Sequence, residues 1–452
     1  MSNLLSTLFS TPEIDHVFSD VELVQRMLRF EWALSAALED CGIATPASAA
    51  PLLELLSRPF LNSERAVQLQ SEAAAAGNIA IPFVKLLTAI VAQQHPDAAS
   101  FIHTGATSQD VLDTALVLQI RDGLALLQAE LHSMLARCID LARQHAGTIL
   151  AGRTWLQQGP PVTLGLKFAG YAAALSRHEQ RLQEAAARTV VLQFGGAVGT
   201  LASLRGKGLK VSAALAKHLG LSESPLPWHT HRDNFGEVAA SLGLLTGTLG
   251  KMARDISLEM QTEVGELFEP AGEGRGGSST MPHKCNPVGC AVVLAAAQRV
   301  PPLVATMLAA MPQEHERGLG GWHAEWRTLP EIFRLTAGAL SQMRHIVAGL
   351  EVDEARMTTN LALTHGLVLA ESVAAALAES TGRMAAHKIV EEASRRAVAE
   401  HKSLQAVLTE MPSVTEYLSL ERLHQLLDPA DYLGSTDQMI ARTLKSLERT
   451  GG

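Results

Sequence analysis

The residues best suited to chemistry lie close together between Gly272 and Gly289, in the sequence GEGRGGSSTMPHKCNPVG. Five glycines and two prolines in this stretch predict a loop, because neither residue type suits a helix interior. The loop carries the adjacent hydroxyls of Ser278 and Ser279, followed by the ammonium group of Lys284 and the amide of Asn286. Such groups can move a proton and hold an anion, and a glycine-rich loop can close over a ligand. We therefore expect acid–base chemistry on an anionic substrate.

A second polar segment, HTGATSQD, runs from His103 to Asp110 and precedes a long helical pattern. Small hydroxyl residues beside a glycine at a helix start leave free N–H groups, which form a natural anion site. Thr107 and Ser108 are the candidates here. Ser108 or Asp110 could equally serve only as a helix N-cap.

Three further polar segments interrupt the helical patterns: GRTWLQQGPP at 152–161, PWHTHRDN at 227–234 and EHERGLGGWHAEWR at 314–327. Each combines cationic and aromatic residues with glycine or proline. We expect the second to contribute to a binding site, although two histidines and an arginine would also suit a surface loop.

Long helices must position these segments. Apolar residues recur at steps of three and four over about 113–146, 164–188, 235–264, 290–311 and 328–349. From Val238 to Ile256 the repeat is a heptad seam that requires a partner helix. We divide the chain into an N-terminal helical domain (1–112), a central bundle with the loop (113–355) and a C-terminal helical domain (356–452). Helices this long rarely bury all their apolar sides within one chain, so we predict a homo-oligomer. A shorter helix is expected from Val21 to Leu38, with Glu31 on its solvated face.

Composition excludes several classes of partner and cofactor. The 452 residues carry a net charge of −9, which argues against nucleic acid or an anionic membrane as partner. We find no signal region and no 18-residue apolar run, so we expect a soluble, cytoplasmic protein.

His283, Cys285 and Cys290 could suggest a metal site, but the sequence has no second pair of ligands that would complete it, so no metal is expected. The GxGxxG pattern at 272–277 lacks a preceding strand, so no dinucleotide cofactor is expected either.

The string GSSTMPHKCNP, from Gly277 to Pro287, resembles the GSSxMPxKxNP motif of the fumarase/aspartase superfamily. The resemblance implies an all-α fold with a long central helix bundle flanked by two smaller helical domains. It also implies a homotetramer with a twenty-helix core and composite active sites. Ser278 matches the proposed base, while Lys284 and Asn286 would orient the loop and bind carboxylate. Thr107 and Ser108 match residues that bind a substrate carboxylate in relatives.

The segment around Trp155 departs from one branch of the superfamily. GRTWLQ resembles the GRTHxQ region of adenylosuccinate lyase, where the histidine is thought to be the general acid. An amine or hydroxide leaves poorly without a proton, whereas a carboxylate, with a pKa of about 4, needs no acid. We therefore expect a cycloisomerase, an intramolecular lyase that interconverts an unsaturated tricarboxylate and its lactone, with Trp155 as a wall or a donor to oxygen. The resemblance adds these candidates for substrate contact: His103, Arg153, Trp155, Gln157, His229, Arg232, Ser279, Met281, Arg317 and Arg327.

Two alternatives differ in class. One is an adenylosuccinate lyase-like elimination that releases fumarate, for which a histidine at position 155 would be expected. The other is a purely structural role, as in lens proteins of this superfamily. The intact Ser278, Lys284 and Asn286 argue against that role.

Overall fold

The computed structural model describes residues 4–272, 276–277, 281 and 284–450, which are mostly helical. The first hundred residues form short helices, as predicted. Their bounds are α1 (Pro12–Val17), α2 (Asp20–Asp40), α3 (Ala50–Leu56), α4 (Ser63–Ala76), α5 (Ala80–Ala92) and α6 (Pro96–Ala99).

The prediction of a helix from Val21 to Leu38 is confirmed by α2. Ser19 caps it, since its hydroxyl accepts a hydrogen bond from the Glu22 backbone N–H at 3.2 Å. One face of α2, which includes Met27 and Leu34, is fully buried.

Five long helices follow, and they fit the five sequence patterns. Their bounds are α7 (Ser108–Gln144), α8 (Leu164–Thr189), α10 (Asp233–Glu259), α11 (Val288–Ala309) and α12 (Gly321–Ala348), with the shorter α9 (Gly208–Leu219) between the second and the third. The last long helix begins earlier than the predicted residue 328. Trp322, Glu325 and Leu329 form a buried stripe at steps of three and four, so the helical period already holds inside the glycine-rich segment.

The heptad seam of α10 is core, as expected: Val238 through Ile256 are fully buried at the seam positions. Glycines seven residues apart let α11 approach closely. A Cβ added at Gly243 would lie 2.9 Å from Cγ2 of Val304, and one at Gly250 would lie 2.7 Å from Cβ of Ala297. The seam is therefore buried by this chain alone, and α11 packs against α10 beside the seam, at distances that only glycine allows.

The outward side of α11 is apolar. By length and composition this helix could cross a bilayer, which the sequence reading had not recognised. One such helix is weak evidence for a membrane span, because core helices have the same composition. Only 28 % of its most apolar 18-residue window is buried within the chain. Val288 and Leu308 are 38 % and 48 % exposed, so part of its apolar surface is left without cover by this chain.

Two small antiparallel ribbons depart from the expectation of a purely helical chain. Strand β1 (Ile149–Thr154) pairs with β2 (Gln157–Thr163), and β3 (Leu267–Phe268) pairs with β4 (Glu351–Val352). Trp155 and Leu156 alone form the first hairpin's turn, with φ of 54° and 62°. Positive φ at both central residues matches the right-handed twist of the flanking strands.

The C-terminal residues form a helical cluster with its own core. Val373, Leu377, Val407 and Leu423 are among its fully buried residues. The helices are α13 (Glu354–Leu361), α14 (Ala370–Thr381), α15 (Arg383–Glu400), α16 (Leu404–Thr409), α17 (Pro412–Thr415), α18 (Leu420–Leu426) and α19 (Thr436–Thr450).

The chain forms two compact units. The first comprises Met1–His132, His178–Gly250 and Val292–Gln342. The second comprises Ser133–Arg177, Lys251–Ala291 and Met343–Gly452. Candidate site residues occur in both, and each group is described within its own unit.

Candidate active site

In the first unit, the N-terminus of α7 presents two hydroxyls. Thr107 and Ser108 are half-buried, and neither side chain has a hydrogen-bond partner within the described part of the chain. The buried carboxylate of Asp110, the third residue of α7, accepts the Thr107 N–H at 3.0 Å, which is the N3 half of a capping box. Neither Ser108 nor Asp110 is the N-cap, a position that falls to Thr107, and an anion-binding role of the two hydroxyls stays a prediction.

Asp110 also holds the surrounding backbone in place. It accepts hydrogen bonds from the N–H groups of Gly195 at 3.1 Å and Gly196 at 2.9 Å, and it pairs with Nε2 of His229 at 2.7 Å. His229 was expected to touch substrate. It is buried, and the nitrogen at the tip of its ring is used by Asp110. Its place in the structure is behind the hydroxyls, where it orients Asp110.

The glycine-rich loop 195–199, which reads GGAVG, was not among the predicted site segments. Its first two residues bind Asp110, and the carbonyl of Ala197 accepts a hydrogen bond from Nη2 of Arg317 at 2.7 Å. The available signal was a cluster of glycines directly after a long helix. It was passed over because the cluster contains no titratable side chain.

Arg317 is placed beside the start of α7. Its Nη1 donates to Oε1 of Gln109 at 2.6 Å, and its guanidinium group is half-buried. Burial lowers the pKa of Arg317, and the charges of Asp110 and Asp113 oppose that shift. Its Nε–H and one Nη1–H have no partner in the described ranges, so two donors of this cation remain for a ligand.

Arg232 has a different role from the one expected. It is buried to 2 % exposure, and its five donors are used inside the chain. Nη1 and Nη2 bind Asp113 at 2.6 and 3.1 Å, while Nε and Nη2 bind Glu325 at 3.0 and 2.5 Å. Nη1 also donates to the His229 carbonyl at 3.5 Å. Arg232 therefore has no donor left for a substrate carboxylate.

Two carboxylates share this one cation. Burial raises the pKa of Glu325, against the hydrogen bonds and the charge of Arg232. The indole N–H of Trp322 donates to Asp113 at 2.9 Å and compensates part of the surplus negative charge. The cluster joins α7, the segment before α10, and α12 through buried hydrogen bonds.

His103 is held by Glu31. Nδ1 of His103 lies 2.7 Å from Oε1 of Glu31, and the His103 backbone N–H donates to Oε2 at 2.9 Å. The expectation that Glu31 lies on a solvated face was wrong, because its exposure is 0 %. Burial alone would lower the pKa of His103, but the hydrogen bond and charge of Glu31 raise it overall, with a smaller contribution from Asp110.

Arg327 lies in a neighbouring cleft of about 720 Å³ within the same unit. Its side chain is exposed, and no ion pair to it occurs among the described residues. Leu112, Asp113 and Trp326 also line this cleft, whereas Thr107 and Ser108 do not. Asp113, which lines this cleft and also binds Arg232, connects the cleft to the cluster around Arg232.

In the second unit, Arg153 stabilises the hairpin. Its Nη1 and Nη2 bind the two oxygens of buried Glu266 at 2.9 and 2.5 Å. Nearby Glu259 binds Lys167 at 2.5 Å, and burial raises the pKa of Glu259 against the charges of Lys167 and Arg153. Arg153 was expected to bind substrate, but in the structure its two terminal nitrogens, Nη1 and Nη2, donate to Glu266.

The tip of the hairpin projects into solvent. Trp155 is 98 % exposed and Leu156 is 77 % exposed, while Gln157 is also exposed. Within a single chain, none of these side chains lines an enclosed site. A tryptophan this exposed is unusual in a folded protein, since aromatic side chains contribute most when buried.

The predicted catalytic loop is described only at its ends. Asn286 binds the carbonyl oxygen of Gly276, and Glu269 accepts the N–H groups of Gly289 at 3.0 Å and Cys290 at 2.7 Å. Lys284 and Met281 are exposed. Ser278 and Ser279 lie outside the described residues.

Comparison with known proteins identifies the family of the chain. Residues 13–301 match the Lyase family, so the chain belongs to that family of the fumarase/aspartase superfamily. Residues 366–443 match the family described as adenylosuccinate lyase C-terminus.

Individual relatives match along the whole chain. The chain is 54 % identical to the 3-carboxy-cis,cis-muconate cycloisomerase of Pseudomonas aeruginosa, with 98 % of this chain and 96 % of the relative covered. It is 46 % identical to the enzyme of that name from Acinetobacter baylyi, with 98 % of both covered. The crystal structure of the 3-carboxy-cis,cis-muconate lactonizing enzyme from Pseudomonas putida superimposes with a TM-score of 0.94 at 49 % identity, over 100 % of both chains.

Proposed function

We propose that the chain is a cycloisomerase that interconverts 3-carboxy-cis,cis-muconate and 4-carboxymuconolactone in the cytoplasmic breakdown of protocatechuate. The observation that carries this proposal is Trp155, which stands where the adenylosuccinate lyase pattern has its acid histidine. The full-length relatives named for this reaction support the same reading. No cofactor is required by the chemistry.

A lactone-forming reaction explains the loss of the histidine. The group that adds in one direction and leaves in the other is a carboxylate, which is stable as an anion at neutral pH. An indole N–H cannot supply a proton near neutral pH. Trp155 is therefore suited to enclose the substrate or to donate a hydrogen bond to an oxygen, and no second acid is missing.

We assign the proton to Ser278. In lactone formation, one carboxylate oxygen bonds to an alkene carbon while the Ser278 hydroxyl gives its proton to the adjacent carbon. Lys284 stabilises the resulting alkoxide by its charge. A tricarboxylate becomes a lactone with two carboxylates, so one proton is taken up from solvent and restores Ser278. Ring opening reverses each step.

The first unit provides groups for the substrate carboxylates. We assign one carboxylate to the hydroxyls of Thr107 and Ser108, with the two free donors of Arg317 as further candidates. His103 and Arg327 are further cationic candidates, and Lys284 and Asn286 serve from the loop. His229 and Arg232 act behind these groups by fixing Asp110, Asp113 and Glu325.

We propose a homotetramer with a twenty-helix core and composite active sites. Two surfaces support it: the exposed apolar residues of α11, such as Val288 and Leu308, and the 98 % exposed Trp155. Burial of both against other copies would remove a large apolar area from water. A hairpin tip that enters a neighbouring subunit would bring Trp155 and Gln157 to substrate.

The test is the ultraviolet absorbance of the purified protein with 3-carboxy-cis,cis-muconate, without added metal or cofactor, in weakly buffered medium with a pH indicator. We expect the conjugated-diene absorbance to fall while one proton is consumed for each lactone formed. An assembled oligomer that leaves the absorbance unchanged would contradict the proposal.

An elimination that releases fumarate is the second candidate, because the C-terminal match carries the name of adenylosuccinate lyase. That reaction would generate fumarate from a succinyl adduct. The same preparation incubated with adenylosuccinate distinguishes the two, and we expect no fumarate.

A further inference from the structure

The pair formed by Glu31 and His103 is a buried charge arrangement that the proposed chemistry does not yet use. Glu31 lies on α2, far in sequence from the predicted motifs, and its carboxylate has no exposure to solvent. Both of its oxygens face His103: Oε1 lies within hydrogen-bond distance of Nδ1 of the ring, and Oε2 accepts the backbone N–H. The carboxylate therefore fixes the ring and the main chain of the same residue.

This double contact sets the direction of the ring. His103 has a φ of 61°, in the left-handed region that a side chain of this size rarely adopts. With Nδ1 occupied, the remaining nitrogen is Nε2, which has no hydrogen-bond partner in the part of the chain that is described. The side chain retains 23 % exposure, so the ring is partly accessible to a ligand.

The pair also sets the charge of the ring. A carboxylate removed from water must be compensated, and the imidazole is the group that both Glu31 oxygens approach. The charged groups that act on His103 are Glu31 from α2 and Asp110 from the first turn of α7. Both favour the protonated ring, and burial opposes them.

We propose that Glu31 is a positioning residue that keeps His103 as an imidazolium, with its Nε2–H directed to a substrate carboxylate beside Thr107 and Ser108. This inference rests on the proposed function. It explains how a chain of net charge −9 can hold a highly anionic substrate, because a fixed cation is added where the helix N–H groups already favour negative charge. Glu31 need not touch the substrate.

The first experiment compares wild type with E31Q, H103Q and the double variant from about pH 5 to about pH 9, a range that spans ordinary histidine titration. E31Q removes the charge at nearly constant volume, so His103 should lose its proton at lower pH. We expect the KM of E31Q to rise from about pH 6 upward, with kcat changed less. Near pH 8, kcat/KM should be about tenfold below wild type if the substitution lowers the pKa of His103 by about one. H103Q should have a raised KM without this pH dependence, and the double variant should resemble H103Q.

Two further variants separate charge from folding. E31D retains the carboxylate and should recover part of the wild-type pH profile. E39Q makes the same substitution later on α2, where the Glu39 carboxylate accepts the Ala49 N–H, and should leave the profile unchanged. A uniform loss of kcat/KM at every pH in E31Q, or additive losses in the double variant, would overturn the inference.

A second readout does not depend on turnover. Diethyl pyrocarbonate modifies neutral imidazole, and peptide mass spectrometry reports the modification of His103 alone. We expect His103 to be modified at higher pH in wild type than in E31Q, and propane-1,2,3-tricarboxylate to protect it in wild type only. Equal pH dependence in both proteins would refute the inference even if the lactone is formed. If His103 modification differs between the two proteins as expected but no lactone is formed, the inference about Glu31 is supported and the proposed substrate is wrong.

Discussion

Asn286 binds the carbonyl oxygen of Gly276 twice, through its backbone N–H at 2.8 Å and through Nδ2 at 3.1 Å. These bonds join two points ten residues apart, on either side of the serine pair. Immediately beyond, Glu269 fixes the first N–H groups of α11. The segment that carries Ser278 is thereby closed at its base, and the amide of Asn286 has a structural contribution in addition to any contact with substrate.

Replacement of Asn286 by alanine should weaken this closure without unfolding the protein. The backbone bond remains and one side-chain hydrogen bond is lost, a net effect of about 1 kcal/mol on the closed loop. We expect kcat to fall about threefold to tenfold and the melting temperature to stay nearly constant. The control is Asn62→Ala, which removes the N-cap of α4 and should lower stability while kcat is retained. A large fall in melting temperature for Asn286→Ala would contradict the assignment.

Ser278→Ala should abolish most turnover while the oligomer and the fold persist. A positioned acid or base contributes about 100-fold to 10,000-fold to rate, so we expect a loss of kcat in that range. Ser279→Ala is the matched control one residue away and should be affected less. Light scattering confirms assembly of both variants. Near-normal turnover by Ser278→Ala, or the larger loss in Ser279→Ala, would reassign the proton carrier.

Arg232→Met tests whether this residue supports the fold or binds substrate. Removal of one member of a buried ion cluster leaves Asp113 and Glu325 without their cation, which should cost about 3–5 kcal/mol of unfolding free energy. Urea denaturation measures the loss. The matched control is Arg188→Met, which breaks the exposed pair with Glu237 and should change stability little. Unchanged stability with a raised KM would restore Arg232 to the substrate-binding set.

The fold was largely predictable because helical periodicity is local information. The α10 seam and the boundaries of α2 follow from side-chain spacing and a serine cap. The β1–β2 hairpin was not predicted, since its turn contains Trp155 and Leu156 instead of the asparagine or glycine that usually marks positive φ. The start of α12 was obscured by glycines, although Trp322 and Glu325 already follow the helical period.

The site was predictable where a motif names its residues, and less so where burial decides their roles. Sequence does not distinguish an arginine that meets substrate from one that neutralises two internal carboxylates. Arg232, Arg153 and Arg317 look alike in sequence. All five donors of Arg232 are used inside the chain, whereas Arg153 and Arg317 each keep donors without a partner in the described structure. Glu31 was misjudged for the same reason, because its partner His103 is 72 residues away.

Trp155→Ala allows a test of whether active sites are shared between chains. The side chain is 98 % exposed, so its loss should leave the folded chain intact while it removes a wall of the site and most of the activity. We expect activity to return when Trp155→Ala and Ser278→Ala chains are unfolded together and reassembled. If the two residues of one site come from different copies, about a quarter of the sites in randomly mixed oligomers contain both native side chains. Differently tagged Ser278→Ala chains, treated identically, should recover nothing. A mixture no more active than its parents would place Trp155 and Ser278 of each site on one chain, because the exposed tip would then serve only its own subunit.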